Sequence, residues 1–345
     1  MSQIQNAMIE ASNAIRKGLV DVSTKKIYHY TSPKGWMGIF DKKTPALFFS
    51  QYDSLNDTKE RKDIFEILKK YCDKQLEDGR MSQSLYNDII SIPPSDLFVI
   101  TRELNENIKL ESGETVDNIT SFAKEDSYTY ICSFSKNNDS LPMWRMYSKA
   151  DHYEGFCIEF STYPFSHKNF YGKGFDIELV EVIYNESQKL SLIESVLSPI
   201  MKLYDSATKI DKDNLLSIIK IMIYRFQFAF KNKSFSYEEE IRAIIHIPKE
   251  TTSCTERFSE RKYRHNNGLI VPYIIYNLEN TLALSITLAP TIKEEISVIN
   301  LKDYLLSKEL DHIDILLSDI PISRVWSSPY SDRLIHKNTI IYKKL

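Results

Sequence analysis

The run Tyr-Glu-Glu-Glu-Ile-Arg-Ala-Ile-Ile-His-Ile at residues 237–247 alternates with strand periodicity and is rich in β-branched side chains. Ile241, Ala243, Ile245 and Ile247 fall on one face, which must be the core face; Glu238, Glu240, Arg242 and His246 fall on the other. Same-face neighbours on a strand lie roughly 6.5–7 Å apart, so two carboxylates held this way repel unless cations sit opposite. Glu-x-Glu-x-Arg in one row is therefore either a salt-bridged outer face or one wall of a polar cleft.

The 345 residues suffice for one large domain or two ordinary ones, and a net charge of −3 gives no electrostatic signature for nucleic acid or membrane. Glycine is scarce, at nine residues, and neither G-x-G-x-x-G nor G-x-x-x-x-G-K-[ST] occurs, which excludes Rossmann and P-loop readings. Cys72, Cys132, Cys157 and Cys254 are widely spaced and none belongs to a C-x-x-C pair. With no signal-peptide pattern at the start, this indicates a reduced, cytoplasmic protein. No apolar run approaches the ~20 residues of a membrane span. The histidines form no H-E-x-x-H or other close pair, so no metal site is expected.

The chain is expected to form a single domain over 1–345. Residues 1–23 read as an N-terminal helix, 24–60 and 128–345 as an α/β core, and 61–127 and 186–230 as helical insertions. Strands are expected at 26–31, 46–50, 128–135, 155–160, 177–184, 237–247, 269–276, 282–288, 313–317 and 338–343. Ser32-Pro33 and Ser140 with Pro142 mark helix starts, and Asp57-Thr-Lys-Glu60 reads as a capping box opening a helix to about Asp78. Residues 80–125 read as broken helices and polar turns, and Asp213–Lys231 as a helix apolar on most sides. The fold class is α+β, with a mixed, mostly antiparallel sheet carrying long helical insertions.

Three strands present polar residues on one face: His29 with Thr31, Ser133 with Ser135, and Glu238 with Glu240. Singly, each has an ordinary explanation. A lone strand His is commonly a satisfied residue, Ser-x-Ser commonly an outer face, and Trp144 and Tyr147 commonly helix-to-sheet packing. Arg145 and Arg242 would be structural ion-pair partners.

Their order along the chain resembles the ADP-ribosyltransferase layout, in which a strand with His or Arg precedes a Ser-containing strand and then Glu-x-Glu. The resemblance implies a split sheet with NAD as substrate. His29, Tyr30 and Thr31 would hold the cofactor, Ser133 and Ser135 would line the nicotinamide pocket, and Phe235 or Tyr237 would sit in an acceptor-facing turn. Trp144 and Arg242 are counted with the cofactor-binding residues, although the layout gives Trp144 no specific role. Glu240 would be the catalytic carboxylate and Glu238 would position the attacking group. Breaking the nicotinamide–ribose bond builds positive charge on the sugar. A carboxylate about 4 Å away at an effective dielectric of about 20 stabilises it by roughly 4 kcal/mol, about a thousandfold in rate.

The chain also resembles the bacterial family known as domain of unknown function 2971. The residues concerned are Tyr28-His29-Tyr30-Thr31-Ser32, Leu55-Asn56-Asp57 with Glu60, and Cys132-Ser133-Phe134-Ser135. They continue through Trp144, Tyr147 and Gly155 to Lys231, Phe235, Glu238, Glu240 and Arg242, and end at Ser318-Asp-Ile-Pro321. Thr58 departs from that family's usual Pro. Members often sit among bacterial and phage-defence genes, so the resemblance implies a defence setting, in which an NAD-consuming protein would be a toxin-like effector.

Three functions remain open. The first is an NAD-consuming ADP-ribosyltransferase or NAD glycohydrolase, acting on a protein, a nucleic acid or water. The second is a nuclease-like protein using Asp57, Glu60, Glu238 and Glu240, with Lys231, Lys233 and Arg242 on phosphates. The third is a non-catalytic binding or regulatory module whose charged row is an exposed, salt-bridged face. The distances between His29, Ser133 and Glu240 separate them.

Overall fold

A computed structural model describes residues 3–18, 24–54, 60–93, 100–109, 115–124, 127–148, 154–162, 165, 177–249, 258–266, 268–278, 283–292 and 294–321. Among these, one large, mostly antiparallel sheet organises the chain. Its strands are β1 (Lys26–Thr31), β2 (Ala46–Gln51), β5 (Ser127–Ser135), β6 (Phe156–Ser161), β7 (Ile177–Glu181) and β8 (Glu240–Pro248). They are joined by β9 (Lys262–Asn266), β10 (Leu269–Asn277), β11 (Ala283–Leu288) and β12 (Asp314–Leu317). The spatial order is β12-β11-β6-β1-β5-β2-β10-β9, and β8 pairs with β5 and carries β7 on its far side. Among these named strands only β11 and β12 pair in parallel. The fold is α+β.

One face of the sheet is covered by helices α1 (Gln3–Gly18), α3 (Glu60–Glu77), α4 (Gln83–Ile90), α6 (Glu186–Met201) and α7 (Lys209–Phe226). Ala7, Ala11 and Ile15 recur at i+4 and form the buried stripe of α1. Ile131, Val180 and Ile244 of the sheet meet Ile193, Leu197, Ile219 and Phe226 of this layer in one core. Each such fully buried side chain contributes about 1.5–3 kcal/mol. The opposite face packs Ile27, Phe134, Ile158, Ile241, Ala243 and Ile245. It is covered by Trp36 and Phe40 at α2 (Pro33–Ile39) and by Leu301 and Leu305 of α8 (Glu294–Ser307). Ile241, Ala243 and Ile245 thus occupy the core face that their alternation predicts.

Several boundaries differ from those expected. Residues 100–124 contain a ribbon, β3 (Ile100–Lys109) with β4 (Thr115–Lys124), in place of broken helices. Ile100, Leu104 and Ile108 are spaced by four, and Val116, Ile119 and Phe122 by three, so their apolar rhythm imitates a helix. The second helix of the 186–230 insertion runs over Lys209–Phe226, opened by Thr208, whose hydroxyl accepts from the Asp211 amide. Ser32 caps α2 through the Gly35 amide. Ser140 stands at the N-cap of α5 (Leu141–Tyr147) but makes no side-chain cap; its amide donates to the Tyr30 hydroxyl. The expected 57–60 capping box and 338–343 strand lie in whole or in part outside the described residues.

Candidate functional site

Strand β8 begins at Glu240, three residues later than the alternation alone implies. Asn232 caps a tight 3-10 turn over Lys233–Glu238, and Glu239 follows in the left-handed region at φ 43°. Glu238 is therefore on the turn, not on the strand. Its carboxylate still reaches that of Glu240, because Lys231 lies between them. Lys231 Nζ donates to Glu238 Oε2 at 2.6 Å and to Glu240 Oε2 at 3.0 Å. The same ammonium lies 5.0 Å from the centroid of the Phe235 ring.

Glu240 is the hub. Its Oε1 accepts from Ser133 Oγ at 2.7 Å and Arg242 Nε at 3.0 Å, and its Oε2 also accepts from an Arg242 terminal nitrogen at 2.9 Å. Together with Lys231 these contacts occupy the four acceptor positions of a carboxylate. Arg242 also donates to the Phe228 carbonyl at 3.1 Å, and the Glu240 amide donates to the Tyr184 hydroxyl at 3.0 Å. Glu238, Glu240, Lys231 and Arg242 are all buried. Burial opposes the charge on Glu240, but Arg242 and Lys231, helped by the bonds from Arg242 and Ser133, more than offset it and hold the carboxyl at about 2. The repulsion expected within Glu-x-Glu is thus relieved by two cations, one of them contributed from outside the alternating run.

The sheet divides beside this hub. One edge of β5 pairs with β8 along its length, from Ser127↔Pro248 to Ser135↔Glu240. The other edge pairs with β2 at Tyr130 and Ile131, and with β1 only at Ser135. Cys132, Ser133 and Phe134 lie where the two neighbours part. There His29 Nδ1 donates to the Ser133 carbonyl at 3.0 Å, which fixes the proton on Nδ1 and leaves Nε2 as an acceptor in the neutral ring. Burial lowers the pKa of His29, against the raising effect of that bond, so the ring is neutral at pH 7.

His29 and Glu240 do not share a face. Tyr28 stands opposite Ser135, and Ser135 opposite Glu240, so alternation turns His29 to the other side, where its ring meets Phe134 at 5.7 Å between centroids. Their link passes through Ser133, by its carbonyl on one side and its hydroxyl on the other. On the face of Glu240, side chains directly opposite one another run Ser285, Glu159, Tyr28, Ser135, Glu240 across five strands. Tyr28 is pushed up to about 12 by burial and by the Glu159 carboxylate beside it. Lys26 pairs with Glu159 at 2.8 Å.

The remaining expected residues have other partners. Tyr30 donates to the Asn137 carbonyl, accepts from the Ser140 amide, and packs edge-on against Trp144 at 4.8 Å between centroids. Trp144 donates from Nε1 to Asp139 at 2.7 Å, and Asp139 in turn holds Ser318 and the Asp319 amide. Thr31 faces α2, where its Oγ1 fills the space that a Cβ on Gly35 would take. Ser135 is fully buried and accepts from the Asn137 amide. The structure therefore brings Ser133, Glu238, Glu240 and Arg242 together and joins His29 to them. Tyr30 and Trp144 lie in a neighbouring aromatic cluster, and Thr31 lies elsewhere.

Lys231, Tyr184 and Tyr147 complete the cluster; the Tyr147 hydroxyl lies 3.4 Å from Glu238 Oε1. The transferase layout gives none of them a role, and only Lys231 and Tyr147 stand among the residues of the family resemblance. A buried pair of carboxylates needs cations, and Lys231, close before the 3-10 turn, is the signal that could have identified one of them. Among the described residues, no three His, Cys, Asp or Glu side chains are grouped so as to hold a metal ion, and no helix is long and apolar enough to cross a membrane. Asp57 of the nuclease reading lies outside the described residues. Lys231 and Arg242, its phosphate contacts, are turned inward onto Glu238 and Glu240.

No curated protein and no solved structure matches the chain. Residues 143–243, from α5 to the middle of β8, match a family model described as protein of unknown function (DUF2971). That stretch contains Trp144, Tyr147, Gly155, Lys231, Phe235, Glu238, Glu240 and Arg242, and over it, less than a third of the chain, the protein is similar to the DUF2971 family.

Proposed function

We propose that this protein consumes NAD, as an ADP-ribosyltransferase or NAD glycohydrolase, at the junction of β1, β5 and β8. The observation that carries the reading is the adjacency of the three strands. His29, Ser133 and Glu240 come from segments far apart in sequence, yet they are joined through two hydrogen bonds of 3.0 and 2.7 Å where β1 and β2 part. In this reading a ribose hydroxyl takes the acceptor position on Glu240 that Ser133 now fills. As the bond from the ribose to the nicotinamide nitrogen breaks, its electron pair leaves with nicotinamide, and the ionised Glu240 stabilises the positive charge left on the sugar. Water or an acceptor nucleophile then forms the new bond to that carbon and releases a proton. The neutral His29, turned to the other face, holds the Ser133 carbonyl and so positions the serine whose hydroxyl the ribose replaces.

A second reading, a non-catalytic binding or regulatory module, is favoured by one observation: all four acceptor positions of Glu240 are already occupied. On that reading the cluster is a buried strut, in place of the exposed charged row that the sequence implies for such a module.

Nicotinamide release and NAD binding by the purified chain separate the two. The NAD reading expects binding at or below millimolar NAD and release that Glu240→Gln abolishes in folded protein. A lack of binding at millimolar NAD, or a fully active Glu240→Gln, overturns it and leaves the module.

A further inference from the structure

At the far end of the sheet, β9 is an edge strand bordered by cations. The described residues 249 and 258–266 carry Lys249, Arg261, Lys262 and Arg264 against one carboxylate, Glu260, in a chain whose net charge is −3. The cations alternate with rings. The Arg261 guanidinium lies 4.1 Å from the centroid of Tyr128 and 5.4 Å from that of Tyr263, and Lys249 Nζ lies 5.4 Å from Tyr128. Gln51 Oε1 accepts from Arg261 at 2.6 Å and fixes it in place, while the buried Arg261 Nε has no hydrogen-bond partner among the described residues. On the opposite face of the same edge, Arg264 lies 5.8 Å from Phe48 and 5.6 Å from Tyr273, and donates to Ser50 at 2.8 Å.

Packing alone does not account for the ladder's outer end. Tyr263 is 60% exposed, and Ile270, on the same face, is 66% exposed. An exposed ring beside a fixed guanidinium offers a stacking surface for a base, and the neighbouring ammonium groups offer contacts to phosphates. The ladder is a single file of side chains, so it suits unpaired bases and not the closed stack of a duplex. An acidic peptide would use the cations and leave the rings without a role.

We propose that the Lys249–Tyr128–Arg261–Tyr263 ladder is a docking surface for single-stranded nucleic acid, held by its phosphates and base faces and so indifferent to the sugar. The surface is separate from the NAD reading. Tyr128 and Ser133 are five residues apart on β5, which sets them about 17 Å apart.

The test is fluorescence anisotropy of the full chain with labelled oligo-dT and oligo-rU of about twelve nucleotides and a duplex of the same length. Both single strands are expected to bind, the duplex more weakly. With about three phosphates neutralised, raising salt from about 50 to about 200 mM weakens binding roughly 20-fold. Tyr263→Ala, a change at an exposed position, weakens it about tenfold, and Lys249→Glu weakens it and flattens the salt dependence. The proposal is overturned by no binding at about 100 µM protein in low salt, by equal or tighter binding of the duplex, or by variants that bind as the wild type does. It is also overturned if the chain self-associates at low salt and Tyr263→Ala abolishes that association without affecting oligomer binding, which would make a second copy the occupant.

Discussion

The Ser133 hydroxyl donates to Glu240 Oε1 across 2.7 Å and adds a side-chain bond to the backbone ladder between β5 and β8. Ser133 is the one neutral donor to the Glu240 side chain among the described contacts; the others are charged. Ser133→Ala removes it without changing the charge of the cluster. A hydrogen bond to a charged group contributes about 1.5–3 kcal/mol, so urea unfolding of Ser133→Ala is expected to show a loss in that range. A loss below about 0.5 kcal/mol would mean that water replaces the hydroxyl.

Glu240→Gln acts differently, because it leaves Lys231 and Arg242 buried with one carboxylate fewer. Breaking a buried pair on one side costs about 3–5 kcal/mol. In a double-mutant cycle with Lys231→Met, the two substitutions are expected to be coupled by at least about 1 kcal/mol. Additive effects would show that Lys231 is held by Glu238 and gives little to Glu240.

Acid should destabilise the chain in two overlapping windows. Glu240 titrates at about 2 in the folded chain, below its ordinary 4.5, so its stabilising effect is full above about 4.5 and is lost as pH falls towards 2; it amounts to about 3 kcal/mol. His246 is lowered from 6.5 to about 3 by burial and by Arg225, while its Nδ1 bonds with Thr129 and Tyr224 at 3.0 Å. The unfolded chain takes up that proton first, so stability begins to fall below about 6.5 and the contribution of His246 to the loss is complete near 3. Denaturant midpoints measured from pH 7 to pH 4 should fall continuously. A His246→Gln variant should show a flatter profile between pH 6.5 and 5, where Glu240 does not yet titrate.

Gly155 allows β6 to start against the end of α5. A Cβ there would lie 2.5 Å from Ser148 Cβ and 2.8 Å from the Thr31 carbonyl oxygen, and that oxygen belongs to backbone that cannot swing away. Gly155→Ala is expected to cost about 1–3 kcal/mol, read as a lowered thermal midpoint. Gly38, where an added Cβ would meet nothing within 4 Å, is the control, and Gly38→Ala in α2 should be neutral or slightly stabilising.

Elements with strict alternation are legible from sequence: Lys26–Thr31, Ser127–Ser135 and the apolar set of β8 lie close to where the pattern puts them. The β3–β4 ribbon is not, because its apolar spacing mimics helical turns. The start of β8 is hidden as well. Tyr237 and Glu238 keep the alternation in phase, and nothing local signals the left-handed turn at Glu239. Within the site, the Glu240–Arg242 pairing follows from i, i+2 placement on one strand. Tyr184 reaches the site only through tertiary packing, which no short window of the sequence contains, whereas Lys231 is local and becomes legible once the two carboxylates are taken as buried and in need of a cation. The side to which His29 turns depends on the register of Tyr28 with Ser135, a contact between residues more than a hundred positions apart.

The way β5 is shared between β8, β2 and β1 bears on what can be cut out of this chain. Residues 143–243 hold β6, β7 and the first part of β8, but the neighbours that complete the sheet, β5, β1 and β11, lie outside that stretch. Expressed alone, the segment would have β6 bare along both sides and β8 bare along one, with its ladder groups open to any passing chain. Glu240 would keep Lys231 and Arg242 yet lose Ser133. The stretch of this chain that matches the family model is therefore not a portable unit: an excised 143–243 fragment should aggregate or stay unfolded, and work on this protein calls for the whole sheet.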